Sequence, residues 1–166
     1  FEYFIQSIPE VIKHYPNSKV LIVGEGPLED RLKAQGSRLK VQNNLIFTGF
    51  RDDIKEVLSS IDILVIPSLL EGFPMITLEG MAMAKPIIAT SISGIKEQII
   101  DEESGVLVPP GDHETLTKAL IALLIDKKKS RYLGLNARRR VKKYFGVEKM
   151  VAETERVYQS LFVSRT

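Results

Sequence analysis

Alternation is the feature that most restricts what this chain can become. Five short runs rich in Val, Ile and Leu, at residues 19–23, 44–47, 62–67, 86–90 and 105–108, are separated by segments of helical character. Runs with no polar residue at every second position suit strands buried on both faces. Buried neighbouring strands of this kind are parallel, and parallel strands need a crossover between them, which is right-handed. The expected fold is therefore a doubly wound α/β domain: a parallel sheet with helices on both faces. A length of 166 residues suits one domain. With 44% hydrophobic and 27% charged residues, the composition excludes a disordered or fibrous chain. The longest apolar stretches, residues 61–67 and 116–125, fall short of the roughly 20 residues a bilayer span needs. Zero cysteines exclude a disulfide scaffold, a cysteine-ligated zinc site and a thiol nucleophile. They are compatible with a reducing cytosol, so the expected location is cytoplasmic, with a membrane-peripheral placement as the alternative.

Between the strands, Phe1, Phe4, Ile5, Ile8, Val11, Ile12 and Tyr15 share one helical stripe, in which Pro9 predicts a kink or a restart capped by Ser7. Residues 27–40 read as a second helix, with Glu29 and Asp30 in its first turn and a break near Gly36. Residues 52–60, 75–84 and 94–100 supply further crossovers. Pro109, Pro110 and Gly111 mark a turn, after which Asp112 caps a helix running to Ile125. Two more helices, 130–145 and 148–162, close the chain. The helical segment from about residue 127 is the only subdivision the sequence offers, and residues 1–166 read as a single domain. From Lys127 to Lys149 ten Lys/Arg face one acid, Glu148: a local charge of +9 in a chain of net +2, leaving −7 elsewhere. Such a cluster is either a solvated helix face or a contact for an anionic membrane surface, a nucleic acid or an acidic partner domain.

In sheets of this class ligands sit outside the carboxyl ends of the strands, where glycine loops let backbone approach and helix N-termini attract anions. Gly24-Glu25-Gly26-Pro27 follows the first strand, with Pro27 suited to a first helical turn; a tight strand-to-helix turn would look the same. The richest stretch, residues 67–79, follows the third strand. Pro74 fits the first helical position and would leave the amides of Met75, Ile76 and Thr77 free for an anion. Glu71 lies just before this helix and Glu79 about one turn in, so the two carboxylates either flank a ligand of diphosphate size or are ordinary solvated charges. His14 and His113 are too far apart to suggest a metal pair. With no Asp-x-Asp, a metal-held diphosphate is not indicated and no metal cofactor is expected. No Ser-His-Asp arrangement can be assembled.

The pattern Pro-Ser-x-x-Glu-Gly-Phe-Pro-x-x-x-Leu-Glu-Gly-Met-Ala, which carries Glu71 and Glu79, resembles the signature of family 4 retaining glycosyltransferases in their C-terminal donor-binding domain. Residues 20–27 are similar to that family's first glycine loop and residues 46–50 to its base-contacting loop. Residues 85–90, 104–109 and 144–145 match in order and spacing, so nearly the whole chain is covered. The resemblance implies a Rossmann-like sheet, the C-terminal half of a GT-B fold. It implies an enzyme, a hexosyltransferase, that moves sugar from a nucleotide-diphosphate sugar to a glycan, lipid or small-molecule acceptor with anomeric retention. Carried over by position, Glu79 holds the ribose hydroxyls, and Glu71 acts beside the anomeric centre as the catalytic carboxylate. Gly24 and Gly26 line the donor site, and the backbone from Gly72 through Phe73, Pro74, Met75 and Ile76 to Thr77 holds the sugar and distal phosphate. Phe50 and Arg51 lie against the base. Ser93-Gly94 stands where the family has two glycines, and Pro74 where a glycine is common. The resemblance also places a first strand, with the Arg and Lys that neutralise the diphosphate, upstream of Phe1, and an acceptor domain before that. The chain is thus expected to be an excerpt, inactive alone, with no nucleic-acid partner. A non-catalytic module binding a nucleotide sugar or a phospho-ligand, and an unrelated doubly wound regulator, are the alternatives.

Overall fold

The structure, a computed structural model, describes residues 1–163, the last two as helical backbone only. All five expected strands form: β1 (Val20–Val23), β2 (Leu45–Gly49), β3 (Leu64–Ile66), β4 (Ile87–Thr90) and β5 (Val106–Val108). Every pairing between them is parallel. They make two hydrogen-bonded ladders, β1–β2 and β3–β4–β5, with no ladder joining one to the other among the described residues. The central strand β4 is buried along its length. Its Ile88 belongs to one core, with Val106, Leu116, Leu123 and Leu133, while Ile87 and Ala89 belong to another, with Met81, Ile95 and Ile99. A strand covered on both faces has no polar face, which is why its sequence shows no alternation.

The described residues form eight α-helices: α1 (Glu2–His14), α2 (Glu29–Arg38), α3 (Ile54–Ser60), α4 (Met75–Ala82), α5 (Ser93–Gln98), α6 (His113–Ile125), α7 (Lys127–Tyr144) and α8 (Val147–Val163). Helix α1 runs through Pro9 without the expected restart. Ser7 does not cap; its Oγ donates back to the Phe4 carbonyl at 2.6 Å. An interior proline costs about 3 kcal/mol. Phe4, Ile5, Ile8 and Val11 are all buried on this helix, and each contributes roughly 1.5–3 kcal/mol, so burial outweighs the proline. Helix α2 likewise starts two residues late, at Glu29, and passes through Gly36 unbroken. A Cβ on Gly36 would lie 2.5 Å from Leu45 Cδ1, so the glycine there serves packing on β2.

Asp112 caps α6 as expected, Oδ1 accepting from the Thr115 amide at 2.9 Å. Helix α7 begins at Lys127, three residues earlier than expected, because Asp126 caps it by accepting from the Lys129 amide at 2.9 Å. It packs against the rest of the fold, with Leu133, Ala137 and Val141 among the core residues. Gly134 lets α7 lie directly on the turn after α4, where a Cβ would come within 2.1 Å of the Ala84 carbonyl oxygen. Of the helical stripe expected on α1, Phe4, Ile5, Ile8 and Val11 are buried, Ile12 and Tyr15 are half-buried, and Phe1 is exposed. Helix α8 differs from the rest, since residues 147–161 are all exposed, including Val147, Met150, Val151, Val157, Tyr158 and Leu161 along one stripe.

Candidate functional site

Parallel strands end on one edge of their ladder, and the residues singled out in the sequence lie in the loops leaving those ends in two groups. The first group follows β1 and β2. Gly24 has φ +114° and donates its amide to the Gly49 carbonyl at 2.9 Å, while Gly49 has φ +68°, so both positions require glycine. Glu25 ties the same two loops together, its Oε1 accepting from the Phe50 amide at 3.3 Å. Phe50 is left 74% exposed. Arg51 forms a forked pair with Asp53, its Nε 2.6 Å from Oδ1 and its Nη2 on Oδ2. That hydrogen-bonded pairing holds the Asp53 carboxyl below the usual carboxylate range and raises Arg51. Gly26 is exposed, and its carbonyl accepts from the Glu29 amide at 3.2 Å. Pro27 stands in the turn before α2, not within its first turn. A cavity of about 240 Å3 opens at this loop, floored by Ile22, Leu32 and Phe47 and bordered by Phe1, Gly24 and Gly26.

The second group follows β3. Glu71 is half-buried, and its Oε1 accepts from Ser68 Oγ at 2.8 Å; Ser68 is held in turn because its carbonyl accepts from Thr90 Oγ1 at 2.5 Å. Pro74 is the residue before α4, not its first residue, with ψ 120° and its carbonyl aimed at two donors. These are the Thr77 amide at 3.2 Å and Gln98 Nε2 at 3.1 Å. The Thr77 amide is therefore not free, its side chain is buried, and Ile76 packs against the core. The expectation of three open amides reduces to two, those of Met75 and Ile76, at the positive end of the helix. Met75 and Glu79 are exposed there.

The loop 71–74 is fixed from three sides by residues that the sequence did not mark as functional. A Cβ on Gly94 would come within 1.6 Å of the Gly72 carbonyl oxygen, so that loop lies directly on the start of α5. Fully buried Gln98 anchors Pro74. Phe73 packs on Phe145 with ring centroids 5.9 Å apart, and Arg140 lies over the Phe145 ring at 5.6 Å. Arg140 also donates to the carbonyls of Gln98 at 2.7 Å and Glu97 at 2.9 Å, linking the end of α7 to the helix that holds Pro74. Of these residues only Gly94 and Phe145 fell in motifs that could have drawn notice; a glutamine in a six-residue helix carries no signal. No hydrogen bond joins the Gly24–Phe50 group to the Glu71–Glu79 group among the described residues, and no residue of the Glu71–Glu79 group lines the cavity at the glycine loop. Among the described residues, no three His, Cys, Asp or Glu gather to hold a metal ion.

A parallel α/β fold with glycine loops and an acid-flanked helix N-terminus at its strand ends defines a class, and comparison with known proteins narrows it. The chain belongs to the glycosyl transferases group 1 family, whose model matches residues 1–140. It is 31% identical over 160 residues to an uncharacterized glycosyltransferase of Methanocaldococcus jannaschii, covering 95% of this chain and 41% of that protein. It is 28% identical over 166 residues to the UDP-Gal:alpha-D-GlcNAc-diphosphoundecaprenol alpha-1,3-galactosyltransferase of Escherichia coli, covering 98% of this chain and 43% of that one. Among solved structures, the sucrose-phosphate synthase of Thermosynechococcus elongatus superposes with a TM-score of 0.85 at 28% identity, over 98% of this chain and 43% of that chain. The chain thus spans less than half the length of these relatives. No helix among the described residues is long and apolar enough to cross a membrane.

Proposed function

We infer that the chain forms the donor-binding part of a retaining glycosyltransferase and holds a nucleotide-diphosphate sugar at the carboxyl ends of its strands. The observation that carries this reading is the Glu71–Glu79 loop. It presents one half-buried carboxylate, one exposed carboxylate and two open amides at a helix N-terminus, in a chain of the group 1 family. Two amides and the dipole of α4 suit the distal phosphate. A carboxylate one turn into the helix suits two vicinal hydroxyls, the role given to Glu79 on the ribose. Ser68 engages Glu71 Oε1, and on this reading Oε2 meets the sugar, close to the carbon that changes partners. As the bond to the departing diphosphate breaks, negative charge grows beside the amides of α4, which favours the transition state over the bound donor. Gly24, Gly26, Phe50 and Arg51 take the nucleoside end, with exposed Phe50 offering a ring face to the base. The lack of an Asp-x-Asp favours a diphosphate neutralised without metal. The Escherichia coli relative is named for a UDP-sugar donor, which fits the same substrate class.

On this reading the acceptor surface, and the cations that face the diphosphate, come from outside residues 1–166. That the two ladders share no hydrogen-bonded pairing among the described residues fits a further strand lying between them in the same sheet. The 166-residue chain then binds donor but directs no transfer, since positioning of both reactants is where much of the rate arises. Calorimetric titration with nucleoside diphosphates checks the donor site. Glu79→Ala is expected to weaken binding about ten-fold, as loss of a charge-assisted hydrogen bond does. In the full-length enzyme, Glu71→Gln lowers turnover more than donor affinity. Unchanged nucleotide affinity in the Glu79 variant would refute the site.

A further inference from the structure

The basic cluster noted in the sequence resolves, in the structure, into one face of α7. The helix carries nine Lys/Arg and no acid over 18 residues, a length of about 27 Å. Two of the nine turn to one edge: Lys129 pairs with Glu102 at 2.6 Å, and Arg140 donates to the Glu97 and Gln98 carbonyls. Asn136, on the same edge, donates to the Glu103 carbonyl at 3.1 Å. The one ion pair of α7 among the described residues thus lies on that edge. The outward face keeps seven cations. Lys127, Arg131, Arg138 and Lys142 recur at helical spacing along one row and have no acidic partner among the described residues. The adjoining row sets Tyr132, 56% exposed, and Leu135, 41% exposed, among Lys128, Arg139 and Lys143. No carboxylate of α7 offsets this charge, so the arrangement is not the mixed-sign lattice of an ordinary solvated helix.

We propose that this face of α7 docks on an anionic bilayer surface. Seven cations along two adjoining rows of one exposed face match the negative potential of acidic headgroups, and the apolar Leu135 and the amphipathic Tyr132 stand among them, as side chains that reach the headgroup boundary do. A nucleic acid would use the cations equally, but it has no use for an exposed leucine at the centre of the row; the pairing of charge with apolar tips selects the bilayer. The surface is remote in role from the donor loops, so its failure leaves the donor reading untouched.

The test is flotation of the full-length protein with vesicles of phosphatidylcholine alone or mixed with phosphatidylglycerol. The wild type is expected to float with the mixed vesicles only, and less as salt rises. Each exposed cation is worth about five-fold in partitioning, so the triple variant Arg131→Gln, Arg138→Gln, Lys142→Gln should lose about 100-fold. A control triple variant at exposed positions elsewhere, Lys13→Gln, Lys55→Gln, Lys118→Gln, should float as the wild type does. Leu135→Ser should weaken flotation while leaving binding to an RNA oligonucleotide unchanged. The proposal is overturned if the α7 triple variant floats like the wild type, if the control triple loses as much, or if RNA binds and mixed vesicles do not. Circular dichroism of each variant confirms that the fold is intact, as expected for side chains on the outward face.

Discussion

Gly94 shows how much of the candidate site rests on a missing atom. Its position against the Gly72 carbonyl, with room for no Cβ, lets the loop 71–74 lie on α5. Backbone cannot retreat as a flexible side chain can, so Gly94→Ala forces the loop or α5 to move, at a cost of roughly 1–3 kcal/mol. The expected outcome is a lower urea midpoint together with weakened nucleoside-diphosphate binding; a variant with wild-type affinity would show that this contact does not position the loop. The placement of Glu71, Gly24 and Gly49 at strand ends, and of Glu79 in the helix that follows β3, was legible in the sequence, because such residue types beside apolar runs form a local pattern. The sequence misplaced Pro74 by one residue and left Gln98 and Arg140 unmarked. Whether Pro74 precedes the helix or begins it depends on Gln98 Nε2 and the Thr77 amide both claiming its carbonyl, a contact across 24 residues that no local pattern encodes.

Among the elements, the strands were read from the sequence to within two residues at each end and the helix interiors less well. Pro9 and Gly36 are breakers by local propensity, yet both helices continue, because the burial of Ile5, Ile8 and Leu32 is decided by tertiary partners. Caps behaved more locally. The Asp112 side chain accepts from Thr115 Oγ1 at 2.5 Å and from the Thr115 amide, and these bonds hold its carboxyl below the usual range. A carboxyl depressed by folding stabilises the fold at pH values above its unfolded range and loses that contribution as pH falls through the depressed value. Asp112→Asn keeps an acceptor but does not titrate there. The urea midpoint of the wild type should therefore drop toward that of the Asn variant as acid is added, and a gap that stays constant with pH would rule out the titrating cap.

Across the whole molecule, α1 couples the two ladders. Its Ile5 packs with Ile22 and Leu32 beside β1–β2, while Phe4, Ile8 and Val11 pack in the core that includes β4, β5 and α6. Ile8→Ala should cost about 2–5 kcal/mol, as a cavity in a closed core does. Hydrogen exchange should then show β1 and β2 losing protection before β4, which is flanked by a strand on each side. Simultaneous loss throughout would mean the ladders are bound by more than this helix. Helix α8 gives the opposite case. Residues 147–161 touch so little that no core residue is lost if they uncoil, and a helix of this length standing alone is only marginally stable in water. Warming the 166-residue chain should therefore give two kinds of melting in one spectrum: a gradual decline from the first degrees as α8 frays turn by turn, and a single steep step when the ladders and their helices give way together. A proteolytic cut within α8 should erase the slope and leave the step where it was.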